Sequence, residues 1–196
     1  MLIGGIIEHI EEAGVHSGDS CGVLPAHRLS EAHRERLVAI TTQVARELGV
    51  VGLMNVQFAI HEGEIYVLEV NPRASRTVPY TAKSRGLPLA RIATRVSLGE
   101  SLASLVPVPA EREGLVFVKA PVFPWKKIPG SDGVLGPEMR STGEVMGVGA
   151  SLGEAYAKAL ASAGTPLPTS GRVLFSTRNR LKAQLPELAQ ALRDMG

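Results

Sequence analysis

Two runs of alternating apolar residues, Val56–Ile60 and Ile65–Val70, flank the tetrapeptide His61-Glu62-Gly63-Glu64. Side chains along a strand alternate between faces, so two such runs around a glycine-bearing turn predict a β-hairpin. The spacing predicts a three-residue loop with Gly63 at its left-handed third position. In that register Phe58 and Ile60 share the face of Tyr66, Leu68 and Val70. The same register puts Gln57 beside Glu69, with Asn71 one step further on. A slip of one residue would carry Phe58 to the Glu69 side, so the apolar pattern itself selects the pairing.

The hairpin therefore predicts a cluster of oxygen donors: the Gln57 carbonyl, the Glu69 carboxylate and the Asn71 carbonyl. Hard oxygens with one carboxylate suit Mg²⁺, which completes its shell with water and substrate phosphate. Nothing in the set suits a soft metal. Arg73 and Arg76 follow at once, and guanidinium groups beside such a site match the charge that spreads over a phosphoryl group in transfer. Spacing alone leaves a second reading open, in which Glu69 forms a structural ion pair with Arg73.

The string Gly14-Val15-His16-Ser17-Gly18-Asp19-Ser20 reads as a polar, glycine-bearing loop. Its backbone amides, hydroxyls and imidazole suit the ribose or phosphates of a nucleotide, and a plain polar turn is the alternative. His9, His27, His33 and His61 share no metal spacing and read as surface or core residues. No H-E-x-x-H, G-x-S-x-G or G-x-x-x-x-G-K-[ST] string occurs, so zinc proteases, serine hydrolases and P-loop enzymes lack support. Gly130, Gly133 and Gly136 lie outside any strand–turn–helix context and read as loop punctuation. Trp125 with Lys126 and Lys127 reads as a packed surface corner. The single Cys21 excludes an internal disulfide and reads as a small buried hydrophobe.

The remaining pattern predicts a mixed chain. Residues 3–12 read as a strand or short helix, and Cys21–Leu24 as a short strand. Ser30 caps a helix that carries Leu37, Ile40, Val44 and Leu48 at helical spacing and stops at Gly49. A short helix ends at Gly86, and a second runs from Pro88 to Leu98. Residues 101–113 read as a linker, Leu115–Ala120 as a strand, and Phe123–Gly149 as mostly extended. Ser151-Leu152-Gly153-Glu154 matches a capping box that opens a helix to about Ala163. Gly164–Gly171 reads as a linker, followed by a strand at Arg172–Ser176 and an amphipathic helix over 181–195.

With 196 residues, 44% hydrophobic and 20% charged, the chain has enough apolar residues for a core without disulfide staples. A formal charge of +2 and scarce aromatics argue against a nucleic-acid partner. No apolar run approaches the roughly 20 residues that span a bilayer. The apolar start Met1–Ile7 lacks a basic lead and reads as a cut through a folded element, not a signal peptide.

Four strings carry a resemblance: Glu8–Ser20 (EHIEEAGVHSGDS), Gly52–Ala59 (GLMNVQFA), Glu69–Pro79 (EVNPRASRTVP) and Gly136–Gly149 (GPEMRSTGEVMGVG). They resemble the large subunit of carbamoyl-phosphate synthetases, in particular the second of its two ATP-grasp halves, over residues 1–165. The tail from Gly171 resembles, more weakly, the opening of the family's allosteric domain. The resemblance implies an α+β fold. Residues 1–165 would be the C-terminal lobe of an ATP-grasp fold, an antiparallel sheet with flanking helices. Residues 166–196 would be a linker and the first βα unit of a methylglyoxal-synthase-like allosteric domain.

The resemblance further implies a cytoplasmic ligase that uses ATP with Mg²⁺ or Mn²⁺ to phosphorylate carbamate to carbamoyl phosphate, for arginine and pyrimidine biosynthesis. Gly14, Val15, His16 and Ser17 would contact ATP. Gln57, Glu69 and Asn71 would hold the divalent metals, with Gln57 and Glu69 reaching the nucleotide through them, and Arg73 and Arg76 would face phosphate and carbamate. The partners implied are the remainder of the large subunit and a glutaminase small subunit, with no membrane. The family's other ATP-grasp lobe would lie upstream of Met1, so the isolated chain is expected to be inactive. Two alternatives stand beside this reading: a non-catalytic scaffold half-site, and a different ATP-grasp carboxylase or ligase.

Overall fold

In the computed structural model the described residues are 1–105, 114–127, 130 and 132–195, without the side chains of Lys126 and Arg180. The expected linker over 101–113 lies largely outside them, apart from a 3₁₀ turn at Leu102–Ser104. The chain divides into two compact units, Met1–Pro166 and Leu167–Gly196. No helix among the described residues is long and apolar enough to cross a membrane.

The first unit is built on an antiparallel sheet of four strands in the order β1-β2-β5-β6: β1 (Glu8–His9), β2 (Gly22–Leu24), β5 (Val116–Val122) and β6 (Gly143–Gly149). A separate hairpin holds β3 (Asn55–His61) and β4 (Glu64–Asn71). Of the expected element over 3–12, only Glu8 and His9 become strand, because only they pair with β2. β6 emerges as a full strand from the stretch expected to be merely extended, paired with β5 along its whole length.

The helices follow their local signals. α1 (Glu31–Glu47) begins where the Ser30 side chain accepts the His33 N–H, and Gly49 takes the left-handed conformation just past its end. α2 (Thr77–Arg85) ends at left-handed Gly86, and α3 (Leu89–Ser97) follows Pro88. α4 (Leu152–Ser162) opens with Ser151 accepting the Glu154 N–H. The Glu154 carboxylate reaches back to the Ala150 N–H, one residue before the cap, so the reciprocal bonding of a capping box is shifted by a residue.

Period-two alternation along β5 gives the sheet two different faces. Val118 and Ala120 pack with Cys21, Val23, Ala155 and Ala159, a core between sheet and α4. Phe117 points the other way and packs with Leu24 and Tyr80 of α2. The Tyr80 hydroxyl donates to the Phe117 carbonyl at 2.8 Å, and burial raises its pKa. Burial likewise pushes the Cys21 thiol up to about 12, as suits a core residue rather than a nucleophile.

In the second unit a 3₁₀ turn (Asn179–Gln184) leads into α5 (Leu185–Asp194). The strand expected at Arg172–Ser176 does not form. A strand is stable only with a hydrogen-bonded neighbour, and none is present for this segment among the described residues. The expected helix over 181–195 starts four residues later, after the 3₁₀ turn.

β6 lies so close to α4 that only glycine fits at the contact. A Cβ on Gly147 would sit 2.0 Å from the Ala155 carbonyl oxygen and 2.5 Å from the Ala159 nitrogen. Gly147→Ala is therefore expected to destabilise the unit by about 1–3 kcal/mol through overpacking. Gly153→Ala, with nothing within 4 Å of the added carbon, is expected to be neutral or stabilising. Urea-unfolding midpoints of the two variants check this, and equal midpoints would contradict it.

Candidate functional site

The hairpin reaches its expected polar pairing by an unexpected route. Its loop has two residues, Glu62 and Gly63, with φ of 52° and 85°. Paired positive φ values mark the primed turn whose twist matches that of the strands. From this turn the register runs Ile60↔Ile65, Ala59↔Tyr66 and Phe58↔Val67. Left uninterrupted it would set Gln57 against Leu68. A bulge between Gln57 and Phe58 absorbs Leu68 as the extra residue, and Gln57 falls opposite Glu69, with Asn55 opposite Asn71. Phe58 and Ile60 thus pair with Val67 and Ile65, not with the Tyr66/Leu68/Val70 set.

Gln57 Nε2 donates to Glu69 Oε2 at 2.6 Å. Gln57, Glu69 and Asn71 line one cavity of about 180 Å³, together with Arg73 and Arg76. The chain turns there as the Arg73 N–H bonds the Asn71 carbonyl at 2.8 Å. Arg76 donates to Ser141 Oγ at 3.0 Å and also contacts Met139 Sδ.

The polar loop contributes His16, Ser17 and Gly18 to the same cavity. The Gly18 N–H donates to His16 Nδ1 at 3.0 Å, which leaves the neutral imidazole proton on Nε2. A Cβ on Gly18 would lie 2.4 Å from an Arg76 guanidinium nitrogen, so glycine here permits the close approach of that cation. Gly14 and Val15 do not line this cavity. The Val15 N–H instead closes a turn onto the Glu12 carbonyl.

Asp19 holds this loop in place. Its side chain is fully buried and accepts from the Arg140 N–H at 2.7 Å and the Ser141 N–H at 2.9 Å. Burial opposes its ionisation, but the hydrogen bonds from Ser141 and Arg140 outweigh it and hold the carboxyl below its ordinary value.

Lys119 and Glu144 were not singled out from the sequence, and both line the cavity. Lys119 is 1% exposed; its Nζ donates to the Ser17 carbonyl at 3.0 Å and lies 3.7 Å from Glu144 Oε2. Burial pushes Lys119 down and Glu144 up, and each partner's charge resists the other's shift. Burial, then the Lys119 charge, brings nearby His9 down to about 4. A signal for Lys119 was present: a lone cation inside the apolar run Leu115–Ala120, where charge is tolerated only with partners.

Three cations (Arg73, Arg76, Lys119) and two carboxylates (Glu69, Glu144) line the cavity. Its volume is below the roughly 300–1,000 Å³ of a pocket for a drug-sized ligand, which suits phosphate groups and a small anion. Among the described residues no group of three or more His, Cys, Asp and Glu is placed to hold a metal. The available donors are a carboxylate and amides, a set that fits an oxygen-seeking divalent cation finishing its shell with phosphate and water.

A family model for the carbamoyl-phosphate synthase L chain, ATP binding domain, matches residues 5–105, just over half of the chain. The chain belongs to this family. It is 54% identical over its whole length to the carbamoyl phosphate synthase large chain of Rubrobacter xylanophilus and covers 18% of that protein. It is 47% identical to the C-terminal section of the large chain from Methanocaldococcus jannaschii and covers 33% of it. The chain thus spans between about a fifth and a third of these relatives. Among solved structures it is similar to N5-carboxyaminoimidazole ribonucleotide synthetase from Thermus thermophilus, with a TM-score of 0.57 and 17% identity over 88% of this chain and 47% of that one. The α+β arrangement of antiparallel sheet and flanking helices is thus an ATP-grasp-like fold in this carbamoyl-phosphate synthase large-chain family.

Asp19→Asn puts amide hydrogens against the Arg140 and Ser141 N–H groups and is expected to cost about 2–3 kcal/mol. Because the folded pKa of Asp19 is lowered, its contribution is complete above the unfolded carboxyl value near 3.9 and is lost as pH falls through the lower folded value. The gap in urea midpoint between parent and variant should therefore narrow from pH 6 to pH 3. A gap independent of pH would contradict this account.

Proposed function

We propose that this chain supplies the metal- and phosphate-holding lobe of an ATP-grasp site that phosphorylates carbamate to carbamoyl phosphate, in a pathway serving arginine and pyrimidine synthesis. The observation that carries the reading is the bulge-restored pairing of Gln57 with Glu69 beside Asn71, Arg73 and Arg76. Gln57, Glu69 and Asn71 are the residues to hold Mg²⁺ or Mn²⁺. When bound, such a cation would supply positive charge that offsets the charge of the phosphates.

The chain's own residues do the rest by position. Arg73 and Arg76 offer fixed guanidinium donors to the transferring phosphoryl group. His16 and Ser17 present polar groups from the facing loop, and Lys119 adds a buried cation. No side chain is needed as a covalent nucleophile, because phosphoryl transfer depends on alignment and charge neutralisation. The partners of this reading are the rest of a large subunit and a glutaminase small subunit. Residues 166–196 are read as a linker and the opening of an allosteric domain.

Glu69→Gln, placed in the full-length large chain, is expected to lower carbamate phosphorylation at least 100-fold and to raise the Mg²⁺ concentration needed for half activity. Near-normal synthesis of carbamoyl phosphate would overturn the assignment. A second reading takes the chain by itself as a half-site without activity, because its cavity of about 180 Å³ is below the roughly 300–1,000 Å³ that encloses a drug-sized ligand. Titration calorimetry with Mg-ATP separates the two: micromolar binding by the isolated chain would contradict the half-site.

A further inference from the structure

Arg76 reaches the cavity on a long side chain with many rotamers, and a cation serves phosphoryl transfer only when it is held in one orientation. A guanidinium has five N–H donors, two of them on Nη2. Arg76 Nη2 donates to Ser141 Oγ at 3.0 Å and lies 2.9 Å from Met139 Sδ, so both of its hydrogens face the protein. Nη1 and Nε have no hydrogen-bond partner among the described residues, which leaves their hydrogens for an anion in the cavity.

Ser141 is the fixed half of this contact. It is buried, and its backbone is tied at two points: its own N–H donates to Asp19 at 2.9 Å, and the Thr142 N–H donates to the Val122 carbonyl at 2.9 Å. A hydroxyl can rotate, but it carries only one hydrogen. Ser141 Oγ gives that hydrogen to the Gly18 carbonyl at 2.8 Å, which turns its lone pairs toward Arg76. Gly18 closes the other side of the seat, where an added Cβ would come within 2.4 Å of Nη2. The loop that carries Gly18 has other anchors. Asp19 accepts the Arg140 and Ser141 N–H groups, and Lys119 Nζ bonds the Ser17 carbonyl. The Ser141 hydroxyl is therefore free to serve Arg76 alone.

We propose, resting on the function assigned above, that Ser141 is a positioning residue for phosphoryl transfer. Its hydroxyl holds Arg76 Nη2 against Gly18 and so presents Nη1 and Nε to the phosphoryl group that passes between nucleotide and carbamate. Ser141 does not line the cavity and acts through Arg76. Loss of the hydroxyl then slows transfer without weakening nucleotide binding, and the loss requires that Arg76 be present.

The test runs the transfer backwards in the full-length large chain with Mg²⁺, where carbamoyl phosphate and ADP give carbamate and ATP. Ser141→Ala is expected to lower kcat at least roughly tenfold through misplacement of the guanidinium. KM for ADP should change by less than about twofold, because the loop with His16 and Ser17 keeps its other anchors. In an Arg76→Ala background the same substitution should cost less than about twofold, since a residue that acts through another adds nothing once that partner is gone. Ser141→Cys keeps a weak donor and acceptor and should fall between parent and Ser141→Ala. If Ser141→Ala does not fold, Ser141→Cys decides, with a loss of at least about threefold in kcat expected.

A kcat near the parent's would overturn the proposal. So would a parallel rise in KM for ADP, which would show that the hydroxyl holds the nucleotide loop instead. An equal loss with and without Arg76 would place its action elsewhere and overturn the proposal too. Where Arg76→Ala is too slow to measure, the kcat and KM of the Ser141 variants decide. Normal activity in Arg76→Ala would remove Arg76 from the site and this inference with it, leaving the metal-holding residues as assigned. A parent that forms no ATP from carbamoyl phosphate would overturn the proposed function and this inference together.

Discussion

The buried carboxylate of Asp19 ties together parts of the chain that lie far apart in sequence. It accepts two backbone N–H groups from Arg140 and Ser141, across more than a hundred residues. Those bonds fix the loop carrying His16, Ser17 and Gly18 against the segment that leads into β6. Ser141 in turn accepts from Arg76 and donates to the Gly18 carbonyl, so the guanidinium is set by the same knot. A charged hydrogen bond in a dry environment is strong when satisfied and expensive when broken, which suits it to fix a loop to a sheet.

The two faces of the sheet divide the work. On one, Gly147 and Gly149 let β6 approach α4 closely, and small residues Ala155 and Ala159 fill the contact. On the other, the alternation places Lys119 and Glu144 toward the cavity, flanked by Phe117 and Tyr80. A tightly packed rear face holds the polar front face still. Charged groups that must line up with a phosphoryl group gain from such rigidity, because misplacement is costly in transfer chemistry.

The hairpin is a second device for alignment. A two-residue turn gives strands with the correct twist but the wrong partner for Gln57, and the Leu68 bulge corrects the register by one residue. The bulge is therefore what joins the donors of β3 and β4 on one surface. The region matched by the family model, residues 5–105, contains the loop, the hairpin and both arginines but neither Lys119 nor Glu144.

Local chemistry was readable from the sequence wherever a short-range rule governs it. Ser30 and Ser151 caps, the stops at Gly49 and Gly86, and the alternation of the hairpin depend on residues within a few positions of one another. The strand period also put Gln57 and Glu69 on facing strands, but they meet only through the bulge at Leu68, and Arg73 and Arg76 join them beyond the end of β4. The tertiary structure decided the rest. Residues 3–12 became strand only where β2 offered a partner, and 172–176 found none, because a strand's hydrogen bonds are made to another segment. The bulge at Leu68 depends on how turn twist and side-chain packing compromise. The roles of Asp19, Lys119 and Glu144 rest on burial and on neighbours 25 to 122 residues away, and neither is encoded in any local window.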